Sequence, residues 1–222
     1  MTSSQRLQEI ARFVQKHLIE KAAEHPSEQH NPVYRWEHTL RVASYGKLLA
    51  KAEEADVEAV VAACLLHDIA HFECDEDYKG HGRVGAQIAR QFLSTLDYAS
   101  HRIDNICYAI AVHVDGEAGF DHPETIEASC VTDADNIDRF GAYRILQWCI
   151  PEMNDFPKLI EKLSQRIEIL RDYRQRDKLL ETDGGDKLFK QQLDRQIAYF
   201  QALVDEFALT QLPEIETVAG ER

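Results

Sequence analysis

The run Val57-Glu58-Ala59-Val60-Val61-Ala62-Ala63-Cys64-Leu65-Leu66, followed by His67-Asp68-Ile69-Ala70-His71, constrains this chain most. Val57, Val60, Val61, Cys64, Leu65 and Leu66 crowd nearly every side of a helix, the pattern of an element buried at the centre of a fold. Two polar groups then interrupt it. A buried charge costs far more than a buried methylene unless it finds a partner, so His67 and Asp68 demand compensation from other segments. Val60, Cys64, His67 and His71 fall at i, i+4, i+7 and i+11 on one stripe, with Asp68 at its border. A stripe that turns from apolar to polar at its C-terminal end describes a helix that enters a core and finishes in a cleft.

The rest of the chain repeats the helical period, and period-2 alternation is scarce, so the fold class is all-α. Leu7, Ile10, Phe13, Val14, His17 and Leu18 mark a helix over 3–24, ended by His25-Pro26-Ser27. A second spans about 34–54. Asp56 offers an N-cap to the central helix, which is expected to run to about His71. After a polar loop at 73–80, a fourth helix begins near His81. A fifth, capped by Ser100, ends near His113; Asp115 to Pro123 is a loop, and a sixth carries Ile126, Val131, Asp135 and Phe140. Two long patterns follow, 157–182 and 186–208, split by Gly184-Gly185. Leu159, Leu163, Ile167, Leu170 and Tyr173 give the first of these an apolar stripe that either covers the core or forms the seam of a homodimer. A single domain of 222 residues is expected, with a metal-site core at about 34–145 and the helices from 157 as a C-terminal extension.

Charge excludes some functions. A net charge of -14 opposes general attraction to nucleic acid or to anionic membranes, which need a cationic face. The longest apolar runs are too short and too interrupted to span a bilayer, and the N-terminus lacks the apolar segment of a signal peptide. The expected location is cytoplasmic. Five cysteines without a CxxC pair fit reduced thiols better than a disulfide framework. A small phosphorylated ligand is compatible with this acidity, because a bound cation and a few arginines reverse the local field.

The ten histidines stop at His122, which confines any histidine chemistry to the part of the chain before about residue 145. His38 in Trp36-Glu37-His38-Thr39 and Asp135 in Thr132-Asp133-Ala134-Asp135 add two candidate ligands to His67 and Asp68, from separate segments. Two imidazoles and two carboxylates suit Mn, Fe, Co, Ni or Zn and tolerate Mg. Six-coordinate geometry would leave positions for a water and a phosphate oxygen. Any one histidine is more often a surface or hydrogen-bonded core residue than a ligand; it is the three-segment set that points to a metal.

Three stretches resemble the HD-domain metal-dependent phosphohydrolases: Glu37-His38-Thr39-Leu40-Arg41-Val42, Leu65-Leu66-His67-Asp68-Ile69 and Asp133-Ala134-Asp135-Asn136-Ile137-Asp138-Arg139-Phe140-Gly141. The resemblance covers about residues 34–145. It implies a compact helical fold in which His38, His67, Asp68 and Asp135 bind one divalent cation. Among the three acids of the last motif it places the ligand on Asp135; Asp133 lies on another helical face, and Asp138 is expected to support a ligand or form a salt bridge. The chain departs from the subgroup with glycine after His-Asp-Ile, having Ala70 there.

The same resemblance suggests more. His81 and His113 match positions that hold a second ion in binuclear relatives, with Asp68 bridging the two; otherwise His81 is a helix-start residue and His113 a partner of the helix dipole. His71, one turn beyond His67, is the candidate for proton transfer, with a structural helix-terminal role as the alternative. Arg41 lies one turn from His38 and Arg139 one turn from Asp135, so both are candidates to clamp a phosphate oxygen; Arg35 and Arg83 are weaker ones. His17, His25, His30, His101 and His122 receive no role.

The function expected from these residues is hydrolysis of a phosphate ester of a nucleotide or other small phosphorylated metabolite by a metal-activated water. Two rivals share the scaffold. One is a di-iron oxygenase, which would need His81 and His113 as well. The other is a noncatalytic nucleotide-binding regulatory module.

Overall fold

The computed structural model describes residues 1–27, 31–74 and 78–210. His30 and the middle of the expected 73–80 loop lie outside the described residues. Within them the chain forms nine α-helices, two short 3-10 turns and no strand. The fold class is all-α.

Two compact units divide the chain. The first comprises Met1–Arg139 and Leu180–Leu188. It opens with α1 (Ser3–Glu24), whose N-cap Thr2 and Gln5 satisfy one another's backbone groups in a capping box. Next, α2 (Pro32–Ala52) starts on Asn31 with proline in its first turn. The central helix, α3 (Val57–Leu66), is capped by Asp56, which accepts from the Glu58 and Ala59 amides. Around it pack α1, α2, α4 (His81–Leu93), α5 (Ser100–Val112) and α6 (Ile126–Arg139). Encirclement on this scale explains why α3 is apolar on nearly every side.

Two glycines set close approaches between neighbouring helices. A Cβ on Gly46 of α2 would lie 2.5 Å from Cys64 Sγ and 3.1 Å from Val60 Cγ1, so α2 and α3 meet through the missing side chain. A Cβ on Gly82 of α4 would meet the backbone oxygen of Ala111 at 2.7 Å, which brings the first turn of α4 against the end of α5.

The second unit comprises Phe140–Leu179 and the described residues from Phe189 onward. It holds α7 (Ala142–Cys149), a 3-10 turn at Ile150–Glu152, α8 (Phe156–Gln175) and most of α9 (Asp183–Ala208), which begins in the first unit. Leu159, Leu163, Ile167 and Leu170 of α8 are buried.

Several elements differ from those expected, among them α6, which ends at Arg139 and leaves Phe140 outside it. The central helix ends at Leu66 rather than His71, because the chain tightens into successive three-residue turns, with Ile69, His71 and Glu73 amides donating to Leu66, Asp68 and Ala70 carbonyls. Ser100 is the first residue of α5 rather than its cap; Ala99 holds the N-cap position with no side-chain bond. The helix α7 was not anticipated, since Gly141 and Pro151 flank it as if they enclosed a loop. Finally, α8 stops at Gln175, and α9 runs through Gly184-Gly185 instead of starting after them. Those glycines mark a close approach: a Cβ on Gly185 would overlap Asp133 Oδ2 and lie 2.7 Å from Thr182 Oγ1.

Candidate metal centre

Three helix ends and two helix faces converge at the C-terminal end of α3. His38 comes from α2, Asp135 and Asp138 share a face of α6 at i and i+3, His81 opens α4, and His113 closes α5 at its C-cap. All are buried, as are His67 and Asp68.

Backbone carbonyls fix two of the imidazoles. A carbonyl only accepts, so the 2.7 Å bond from His67 Nδ1 to Cys64 O places the proton on Nδ1 and turns the Nε2 lone pair inward. The identical 2.7 Å bond from His113 Nδ1 to Ile110 O does the same for His113. His38 donates its Nδ1–H to Asp138 Oδ2 at 2.7 Å, and Asp138 is held in turn by Arg41 Nε at 2.7 Å and Nη2 at 3.1 Å.

The inward nitrogens form two pairs. His38 Nε2 and His67 Nε2 are 3.3 Å apart, and His81 Nε2 and His113 Nε2 are 3.2 Å apart. Asp68 lies between the pairs. Its Oδ2 is 3.4 Å from His38 Nε2 and 3.3 Å from His67 Nε2, while its Oδ1 is 3.0 Å from His81 Nε2 and 3.8 Å from His113 Nε2. Asp135 Oδ1 joins the first pair, 3.3 Å from His38 Nε2 and 3.9 Å from His67 Nε2. So many electron pairs converging in a buried volume repel one another unless positive charge lies among them. Part of this need is met by protons. Burial alone would lower the His38 pKa, but Asp135, Asp138 and Asp68 outweigh it and raise it well above the ordinary value. Burial would likewise raise Asp68 and Asp135; His67 and Arg35 instead hold Asp68 well below the carboxylate range, and His38 and His67 do so for Asp135.

Two imidazoles and two carboxylate oxygens on one side, and two imidazoles with the second oxygen of Asp68 on the other, fit divalent cations of the first transition row. His38, His67 and Asp68 offer ligand atoms close enough to share one ion, and so do Asp68, His71 and His81.

His71 stands beside this cluster, its Nδ1 3.9 Å from Asp68 Oδ1 and its Nε2 accepting from Arg35 Nη2 at 2.6 Å. Burial pushes its pKa down to about 4, so it is a neutral imidazole near pH 7. The arginines are distributed differently from the sequence ranking. Arg41 lies on Asp138, Arg139 stands 3.8 Å from Asp135 Oδ2 with half its side chain exposed, and Arg83 pairs with Asp115 at 3.0 Å. Arg35, ranked below Arg41 and Arg139 from sequence, is the guanidinium that bonds both Asp68 and His71. Its position three residues before His38, on the same helical face, was the signal for it. Asp133 faces away from the cluster and accepts from the Glu181 amide at 3.0 Å and from the Thr182 amide and hydroxyl at 2.7 Å each. His17 bonds Glu73 at 2.7 Å.

The fold is helical, with histidines and aspartates gathered in a buried cluster. Residues 35–139 match the family model of the HD domain, and this segment of the chain is an HD domain. Solved structures of similar fold include a predicted HD-superfamily hydrolase from an uncultured Thermotogales bacterium, at 19% identity and a TM-score of 0.61, covering 88% of this chain and 92% of that one. Another is YpgQ of Bacillus subtilis in complex with ADP, at 20% identity and a TM-score of 0.62, covering 97% and 99%. A third is an HD-superfamily hydrolase of Bacillus thuringiensis, at 18% identity and a TM-score of 0.58, covering 94% and 98%. No protein of curated function matches the chain in sequence. Among the described residues, no helix is long and apolar enough to cross a membrane.

Proposed function

We propose that this protein is a metal-dependent phosphohydrolase acting on a phosphate ester of a nucleotide or other small phosphorylated metabolite. The observation that carries this is the position of Asp68, with one carboxylate oxygen facing the Nε2 atoms of His38 and His67 and the other facing those of His81 and His113. In this reading His38, His67, Asp68 and Asp135 hold one divalent cation, and Asp68, His81 and His113 hold a second. Such ions supply an acidified water and polarisation of a phosphoryl oxygen.

The chain's own residues supply the rest. Asp138 and Arg41 lock the His38 ring, so that its Nε2 stays aimed inward. His71 is neutral and beside the cluster, its Nδ1 3.9 Å from Asp68 Oδ1 while its Nε2 accepts from Arg35, and it is the candidate for moving a proton between water and a leaving oxygen. Ile69, Ala70 and Phe72 in the turns that follow α3 are buried, and the Phe72 ring meets that of His71 edge-on with centroids 5.5 Å apart. The ADP in the related YpgQ structure favours a nucleotide as the substrate class.

Elemental analysis of the purified protein, followed by phosphate and pyrophosphate release from a nucleotide panel with Mn, Mg, Co or Ni, tests this. Metal-dependent release without oxygen is expected. The six-residue set that also suits a di-iron oxygenase is present, and two bound irons with an oxygen-dependent optical change and no release would favour that chemistry instead.

A further inference from the structure

Arg166 is a cation without a counter-ion in a chain of net charge -14. Most other arginines rest on a carboxylate, as Arg6 does on Glu58, Arg90 on Asp104 and Arg174 on Asp194. Arg166, half-buried on α8, pairs with no acid and makes no hydrogen bond among the described residues, and its Nε is buried without an acceptor. A buried donor left unmade loses its water and gains nothing in return.

Aromatic rings and a second cation surround it. The guanidinium carbon lies 5.3 Å from the ring centroid of Phe140 and 5.0 Å from that of Trp148, within the range at which aromatic faces hold an arginine. Phe140 is itself fixed, its ring meeting that of Phe189 with centroids 4.7 Å apart and its carbonyl accepting from Gln196 Nε2 at 2.6 Å. Arg144 stands one turn before Trp148 on α7, on the same face. Burial lowers the Arg166 pKa; Tyr173 counters this, and the charge of Arg144 lowers it further. A guanidinium does not escape such a place by losing its proton, so two like charges are held near one another. All of these residues belong to the second unit, and none belongs to the metal centre.

We propose that Arg166, with Arg144 near it, forms an anion site in the second unit that binds the phosphoryl group of free phosphate or of a small phosphate monoester. The rings engage the face of the guanidinium and leave its N–H edge, a planar fork that matches two phosphate oxygens. A doubly charged group offsets the repulsion between two cations better than a singly charged one, which favours phosphate over a carboxylate. An acidic surface repels anions in general, so one is held only where local positive charge and desolvated donors coincide.

The test uses the full-length, Mn-loaded protein carrying Trp36→Phe, which leaves Trp148 as its one tryptophan. Trp148 emission is titrated with inorganic phosphate, glycerol phosphate and acetate at an ionic strength held constant with chloride, and circular dichroism is recorded alongside. A saturable change with phosphate is expected, with acetate saturating at higher concentration. Tighter binding of glycerol phosphate than of phosphate would identify an esterified phosphate as the ligand, and the reverse free phosphate. Arg166→Gln should weaken phosphate binding about 10- to 100-fold, and Arg166→Lys less. Arg144→Gln leaves the stacked guanidinium in place and should weaken it about 2- to 5-fold, which keeps the test open if Arg166→Gln fails to fold. Arg12→Gln, whose arginine pairs with Glu9 on the exposed face of α1, should match the parent. The response should persist in Asp68→Asn, which separates it from phosphate at the metal centre. A response equal with chloride, unchanged in the folded Arg166 and Arg144 variants, or lost in Asp68→Asn would overturn the proposal.

Discussion

Asp138 accepts the Nδ1–H of His38 at 2.7 Å, and that single bond fixes which nitrogen of the imidazole faces the centre. Its carboxylate is held below the usual range: burial opposes ionisation, but His38 and Arg41 outweigh it. Partners of this kind orient a ligand and raise its basicity. Asp138→Asn should therefore weaken metal binding by about 10- to 100-fold while the helical circular dichroism persists. Equal metal affinity in the variant would show that the bond is incidental.

Two acids of one motif should separate cleanly. Asp133→Ala removes the acceptor of the Glu181 and Thr182 amides and the Thr182 hydroxyl, and should cost about 2–4 kcal/mol of stability. Metal content should not change. Asp135→Ala should show the reverse, with metal lost and the melting temperature of the metal-free protein nearly kept. Metal loss of the same size in both would place the ligand wrongly.

The α2 and α3 contact gives a packing prediction. Gly46→Ala sets a methyl against Cys64 Sγ and Val60 Cγ1, and overpacking of this kind costs about 1–3 kcal/mol. Cys64→Ala removes the sulfur that the new methyl meets. In the double variant the helix-favouring effect of alanine should re-emerge, leaving Gly46→Ala neutral or stabilising in that background. Additive losses would mean that Val60, not Cys64, limits the approach.

Acid stability should report a network away from the centre. Glu58 accepts from Arg6 at 2.7 and 2.9 Å, Tyr98 at 2.9 Å and Arg102 at 3.0 Å. The Arg6 bonds lead in lowering its pKa from 4.5 to about 2. Because the folded value lies below the unfolded one, the unfolded chain binds the proton first as pH falls. The stabilisation is complete above pH 4.5 and is lost between there and about pH 2. Glu58→Gln should melt lower than wild type at pH 7, with the gap closing through that window. A gap independent of pH would remove the charge from the explanation.

Much of the centre was legible because its chemistry leaves a pattern: an apolar helix broken by His67-Asp68 has few uses, and histidines that stop at His122 point to one half of the chain. The fold class followed from periodicity alone. What stayed hidden depended on three-dimensional neighbours. The turns that end α3 at Leu66 replace a helical pattern that the sequence continues to His71. Gly184-Gly185 looked like a break because glycine interrupts helices more often than it admits a neighbouring carboxylate, here Asp133. Arg35 ranked low because spacing shows which arginines share a face with a ligand, whereas their occupancy by Asp138 or by solvent appears only in the packed structure.

The most direct measurement is calorimetric titration of Mn into metal-stripped wild type and Asp68→Asn. Two sites in wild type, with loss of both in Asp68→Asn while helicity is unchanged, is the expected result. Wild-type affinity retained in the variant would contradict a centre built around that carboxylate.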